Sequence, residues 1–137
     1  MSEQKKVIYI AGPITGVDRY WEAFEQAEDD LTAIGYIPLS PARLPKGMTN
    51  AQYARIDLAM LDSADGIIFL DGWDKSEGAS LEKHYATYIR KPHTNHYLKS
   101  PLGGRVLTVE ERRAWLQLGL LEAFDWEPNA GREVTEE

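Results

Sequence analysis

Apolar residues in this chain alternate between short unbroken runs and longer stretches spaced by three or four. Val7-Ile8-Tyr9-Ile10-Ala11 is the first unbroken run and predicts a strand. Val17, Tyr20, Trp21, Phe24, Ala27, Leu31 and Ile34 then recur at helical spacing, predicting a helix from about Val17 to Ile34, with Gly35 as its C′ residue. Tyr36 to Leu39 reads as a short second strand, and Ser40 to Gly47, with Pro41 and Pro45, as a loop. Thr49 or Asn50 can cap a helix over about Ala51 to Asp62. Gly66-Ile67-Ile68-Phe69-Leu70, apolar and bounded by turn residues, reads as a parallel strand covered on both faces. A loop follows, then a helix from about Gly78 to Arg90. The order β-α-β-α-β-α predicts a Rossmann-like three-layer α/β/α domain with a parallel sheet of four or five strands.

Beyond Arg90 the pattern weakens. Only a frayed fourth strand fits Lys91 to Lys99, and Pro101 to Gly104 reads as a loop. Thr108-Val109-Glu110-Glu111 has the form of a capping box opening a helix to about Phe124. Ala114, Trp115, Leu116, Leu118, Leu120, Leu121, Ala123 and Phe124 wrap more than one face of that helix, which predicts a subunit interface and a homodimer or higher homo-oligomer. Residues 1–124 are thus expected to form one domain, with 125–137 as a polar tail.

Composition narrows the function. With 137 residues, 43% of them hydrophobic, the chain can bury an ordinary core. No apolar run approaches the roughly 20 residues of a membrane span. The polar Met1 to Lys6 segment leads directly into a strand, so no signal peptide is expected. The absence of cysteine excludes disulfides, thiolate metal sites and a cysteine nucleophile, and fits a reducing, cytoplasmic setting. A net charge of −7 argues against binding nucleic-acid polymers. His84, His93 and His96 do not form a recognised zinc spacing, and no metal or cofactor is expected.

Two carboxylates carry the candidate chemistry. At about 100° per residue, Tyr53, Ile56, Met60 and Leu61 share an arc of the second helix, and Asp57 falls inside it. In the third helix Leu81, Tyr85, Tyr88 and Ile89 make the arc, with Glu82 at its edge beside Ile89. Acids on inward faces either side of one strand suggest a cleft with paired carboxylates; the same pattern also fits capping or salt-bridged acids beside a core. Three segments converge at the carboxyl ends of the strands, where open α/β sheets bind ligands: Gly12 to Gly16, Ser40 to Gly47, and Asp71 to Ser76. The first is neither a GxGxxG fingerprint nor a P-loop, though its two glycines before a helix suit an anion.

Ile8-Tyr9-Ile10-Ala11-Gly12-Pro13-Ile14, Asp57 followed by Ala64-Asp65, and Ser76-Glu77-Gly78-Ala79-Ser80-Leu81-Glu82 together resemble the nucleoside 2-deoxyribosyltransferase superfamily. That superfamily includes the 2′-deoxynucleoside 5′-phosphate N-hydrolases and a small phage and bacterial group of uncharacterised domains. The last group is the most similar, through Ala11-Gly12-Pro13-Ile14-Thr15-Gly16 and Gly72-Trp73 with Ser76-Glu77-Gly78-Ala79. The resemblance covers about residues 6 to 92.

The resemblance implies that Glu82 is the nucleophile attacking C1′ of the sugar, that Asp57 protonates the departing base, and that the Tyr9 hydroxyl holds the nucleophilic carboxylate. It implies a nucleoside or nucleotide ligand contacted by Gly12, Ile14, Thr15, Gly16, Trp73, Ser76 and Gly78. Transferases acting on free nucleosides carry an aspartate six residues before the nucleophile, whereas the 5′-phosphate hydrolases carry a serine, as here in Ser76. Gly104-Arg105-Val106-Leu107-Thr108 is similar to a hydrolase stretch whose last residue reaches the phosphate of the neighbouring subunit, which implies that role for Thr108. The hydrolases have Ser and Arg in the first loop where this chain has Pro13 and Thr15, and Arg19, a turn further on, reads as a solvated surface residue. The function implied is cleavage of the N-glycosidic bond of a 2′-deoxynucleoside 5′-monophosphate. The alternatives are base exchange on free deoxynucleosides and nucleotide binding without turnover.

Overall fold

The computed structural model describes residues 4–95, 97 and 104–125. Four strands, β1 (Val7–Ala11), β2 (Ile37–Leu39), β3 (Gly66–Phe69) and β4 (His93–Thr94), form one parallel sheet in the order β2-β1-β3-β4. Four helices accompany them: α1 (Tyr20–Ala33), α2 (Asn50–Ser63), α3 (Glu77–Ile89) and α4 (Val109–Asp125). The architecture is the predicted three-layer α/β one, with four strands.

Alternation along the strands builds two cores. Ile8, Ile10, Ile68 and Leu70 face α1 and α4, where Phe24, Ala27, Leu31, Leu116 and Leu120 close over them. Tyr9, Ala11, Ile67 and Phe69 face α2 and α3, meeting Leu61, Ala64 and Ala86. Register is fixed by pairs such as Tyr9 with Leu39 and with Ile67, and Ile67 with His93. The fourth strand is short because only His93 and Thr94 pair with β3.

Side chains set the helix ends. Thr49 and Gln52 form a reciprocal capping box at α2. Thr108 and Glu111 do the same at α4, as their sequence predicts. Gly35, at φ +98°, terminates α1 in the left-handed conformation.

Three expectations need correction. Helix α1 begins at Tyr20 rather than Val17, because Gly16 and Arg19 both take positive φ, in turns at 15–16 and 18–19 that no helix can run back through. The inward face of α3 is Ala79, Glu82 and Ala86, while Leu81, Tyr88 and Ile89 are exposed. The helix packs on the sheet through small residues, so the face does not follow the large apolar side chains, and Glu82 lies within the buried stripe rather than at its edge. In α2, Leu61 is buried but Ile56 is exposed, and Tyr53 is tied to the preceding loop by a hydroxyl bond to the Pro45 carbonyl at 2.7 Å.

On α4, Leu116, Gly119, Leu120 and Ala123 are buried, while Leu118 and Leu121 remain 44% and 51% exposed. The expected loop over 101–103 and tail over 126–137 lie outside the described residues. Among the described residues, no helix is long and apolar enough to cross a membrane.

Candidate functional site

The chain leaves β1 for β2 on one side, then returns to add β3 on the other, so strand order reverses between β1 and β3. In doubly wound sheets the crevice at this reversal is the ligand position. Its walls are the segments after β1 and β3, and they interlock. The Leu70 amide donates to the Ala11 carbonyl at 2.8 Å, continuing the ladder past the strand ends. A Cβ on Gly12 would lie 3.0 Å from Leu70 Cβ, so a side chain there would push the two segments apart by a few tenths of an ångström. Gly72, at φ +87°, turns the second segment so that a Cβ there would meet Pro13 Cγ at 3.3 Å.

Beneath this crevice, on the α2–α3 face, lies the acid cluster. Tyr9, fully buried in β1, donates its hydroxyl to Glu82 Oε2 at 2.8 Å. Glu82 is 6% exposed, and the small Ala79 and Ala86 on its stripe let α3 approach the sheet closely enough for that bond. Asp57 projects from the middle of α2 and is half-buried, with Oδ1 fully enclosed and lacking a hydrogen-bond partner. An enclosed carboxylate oxygen without a donor is costly, and is found where a ligand or a proton supplies the missing bond.

Burial dominates the electrostatics. It pushes Asp57 up to about 6. It pushes Glu82 up to about 7, with Asp57's charge adding to the rise and the Tyr9 hydrogen bond opposing it. Burial, then the charges of Glu82 and Asp57, drive the Tyr9 phenol far above its ordinary range, so it stays a donor. The pair therefore shares about one proton between pH 6 and 7, held mainly by Glu82, the higher of the two.

The structure thus brings together Tyr9, Asp57 and Glu82. The other candidate contacts divide. Gly12 and Gly72 shape the crevice, and Thr15, Gly16 and Gly78 are exposed on its rim segments. Trp73, half-buried in a 3-10 turn, packs against Phe69 with ring centroids 5.6 Å apart. Ser76 caps α3, accepting from the Ala79 amide at 3.2 Å, so part of its acceptor capacity is already used. Ile14 packs instead into the core on the α1–α4 side. Thr108 starts α4 in that same opposite layer and is not brought to Glu82 within this chain. Arg19 is exposed and pairs with Glu22 at 2.5 Å. Among the described residues, no group of three His, Asp or Glu could hold a metal ion.

Sequence reading missed Lys83. Its ammonium sits 5.1 Å from the Phe69 centroid and 5.3 Å from that of Trp73. Nothing in the spacing separates it from an ordinary surface lysine. It also missed the buried Asp30, 1% exposed, which accepts from Tyr97 Oη at 2.5 Å, Arg112 Nε at 2.6 Å and Arg113 Nε at 2.7 Å. Adjacent arginines on a distant helix were the available signal.

A comparison with curated proteins returns no match. Residues 6–94, spanning β1 with Tyr9, both acid-bearing helices and β4, match the model of a family described as a domain of unknown function, DUF4406, and the chain belongs to that family.

Proposed function

We propose that this protein cleaves the N-glycosidic bond of a 2′-deoxynucleoside 5′-monophosphate. The observation that carries the reading is the Tyr9–Glu82 hydrogen bond beside the half-buried Asp57, at the reversal of strand order. The resemblance to the nucleoside 2-deoxyribosyltransferase superfamily assigns these same three residues to such a reaction.

In the first step the ionised Glu82 carboxylate attacks C1′. The C1′–N bond breaks, its electron pair goes to the base, and Asp57 gives that base its proton. In the second step Asp57, now a carboxylate, takes a proton from water as the water oxygen attacks C1′. The glycosyl–Glu82 ester breaks, releasing 2-deoxyribose 5-phosphate and regenerating both acids. Oxocarbenium character at C1′ demands an anion on one side, and the leaving base demands a proton on the other, the division of labour of retaining glycosidases. The Tyr9 bond lowers the cost of ionising Glu82 and fixes the oxygen it holds.

Base exchange on free deoxynucleosides is the second reading, favoured by the lack of a cation in Gly12 to Gly16. A panel of nucleotides and nucleosides, with and without an acceptor base and resolved by chromatography, separates the two. Base release from nucleotides alone supports hydrolysis, whereas exchange from nucleosides supports transfer. Thermal stabilisation by nucleotides with no product from any substrate would mark a binding module. Among variants, Glu82→Ala should abolish turnover, Asp57→Asn should slow it roughly 10²- to 10⁴-fold, and Tyr9→Phe should cost about 1.5–3 kcal/mol of transition-state binding. Near wild-type activity in Glu82→Ala would overturn the assignment of the nucleophile.

A further inference from the structure

Lys83 is a half-buried cation that the proposed chemistry does not use. Its side chain runs back toward the start of α3 and lays the ammonium against Phe69, the last residue of β3, and Trp73, in the segment after it. Both mark the carboxyl edge of the sheet, where the crevice opens. The two rings stabilise the charge but accept none of its three N–H bonds in the ordinary way.

No carboxylate among the described residues forms an ion pair with Lys83. Asp71, Asp74 and Glu77 on the adjoining segment are exposed. Glu82, its neighbour in sequence, accepts from Tyr9 instead. His93, edge-on to Phe69 at 5.8 Å, donates through Nδ1 to the Lys91 carbonyl, 2.8 Å away. Burial and then the charge of Lys83 hold His93 below its ordinary value, so at neutral pH it offers no counter-charge and no second cation. Burial likewise pulls Lys83 downward, which marks an ammonium short of compensation.

The other cations on the segments at the carboxyl ends of the strands are spent or solvated: Arg19 pairs with Glu22 and Arg43 with Glu28, while Lys46, over Trp21, and Lys75 are exposed. We propose that the Lys83 ammonium, held against Phe69 and Trp73, is an anion contact at the carboxyl edge of the sheet that takes the 5′-phosphate of the substrate. That identity for the anion rests on the N-glycosidase reading. It supplies from α3 the positive charge that Pro13 and Thr15 do not supply from the first loop.

The test measures binding calorimetrically for the full chain and for Lys83→Met, Lys83→Gln and Lys83→Arg. Three ligands are compared: a 2′-deoxynucleoside 5′-monophosphate, the matching deoxynucleoside and inorganic phosphate. Loss of a charge-assisted contact predicts that Lys83→Met weakens the nucleotide about ten- to a hundredfold, leaves the nucleoside unchanged and removes inorganic phosphate binding, with Lys83→Arg restoring most of it. Replacement of a half-buried charge by an apolar chain of similar length should leave the fold intact, and Lys83→Gln gives a polar check on that. Equal weakening of nucleotide and nucleoside, or no weakening of either, overturns the proposal. Loss of inorganic phosphate alone overturns the nucleotide assignment and leaves free phosphate as the ligand. These are binding measurements, so they stay readable if the wild type releases no base: the reaction then falls while the anion contact stands. Base release that is unchanged in Lys83→Met, at subsaturating nucleotide, removes the contact and leaves the reaction.

Discussion

At the scale of single residues, the acid pair ties activity to a narrow proton window. The proposed cycle needs the pair's one proton on Asp57 with Glu82 ionised, the less populated of the two arrangements because Glu82 lies above Asp57. With the two groups near 6 and 7, kcat/KM should follow a bell with its maximum between those values. The acid limb reflects loss of the nucleophile and the alkaline limb loss of the proton donor. A rate that stays flat from pH 5 to 9 would contradict it. The same burial weighs on stability. The neutral Glu82 carboxyl is favoured in the fold below its unfolded value of 4.5, and that benefit disappears as pH rises through about 7. Above that, the ionised group burdens the fold by roughly 3 kcal/mol. Glu82→Gln should therefore match wild type in urea unfolding at pH 5 and exceed it by up to that amount at pH 8.5. Equal stability at both pH values would mean that water reaches Glu82 freely. The acids themselves were legible in sequence, because inward-facing carboxylates are rare. The geometry that couples them was not, since it depends on how closely Ala79 and Ala86 let α3 approach Tyr9.

At the scale of elements, α1 and α4 are joined by more than apolar contact. Asp30 on α1 receives Arg112 and Arg113 from α4, and Tyr97 from the connection before it. Burial alone would raise its pKa, but the hydrogen bonds from Arg112, Arg113 and Tyr97 outweigh it and hold the carboxyl below its usual value. Its stabilising contribution is then complete above the unfolded value of 3.8 and is lost as pH falls through the folded one. Asp30→Asn should cost about 3–5 kcal/mol near neutral pH, because two guanidinium groups lose their buried partner. Chemical denaturation at pH 7 checks this, and a cost under 1 kcal/mol would show the arginines re-solvating without penalty. Helix existence here was readable from periodicity, and the capping box at Thr108 from its spacing, whereas at Thr49 only a cap was readable and the reciprocal bond from Gln52 was not. Helix facing was not, as α3 shows: large apolar residues at helical spacing lie outward, while alanines and an acid lie inward. The start of α1 was also hidden, because a left-handed Arg19 has no signature in composition.

At the scale of the whole molecule, the parallel sheet followed from the alternation of runs and periodic stretches, but its order, with the reversal between β1 and β3, did not. The exposed Leu118 and Leu121 lie on the far layer from Glu82. If a second copy covers them, sedimentation should give a dimer at micromolar concentration, and Leu118→Glu with Leu121→Glu should give a monomer. A wild type that sediments as a monomer would leave these leucines as plain surface. The central place of β1 has a different kind of consequence. Val7 donates to Asp65 Oδ2 at 2.7 Å across a separation of 58 residues, and every β3 partner of β1 lies comparably far along the chain. During synthesis, β1 leaves the ribosome first and waits with its apolar residues unmatched until β3 has been made. Pairing so distant in sequence slows folding and prolongs exposure of an aggregation-prone strand. Lys5 and Lys6 stand immediately before that strand, where adjacent positive charges discourage nascent chains from pairing with one another.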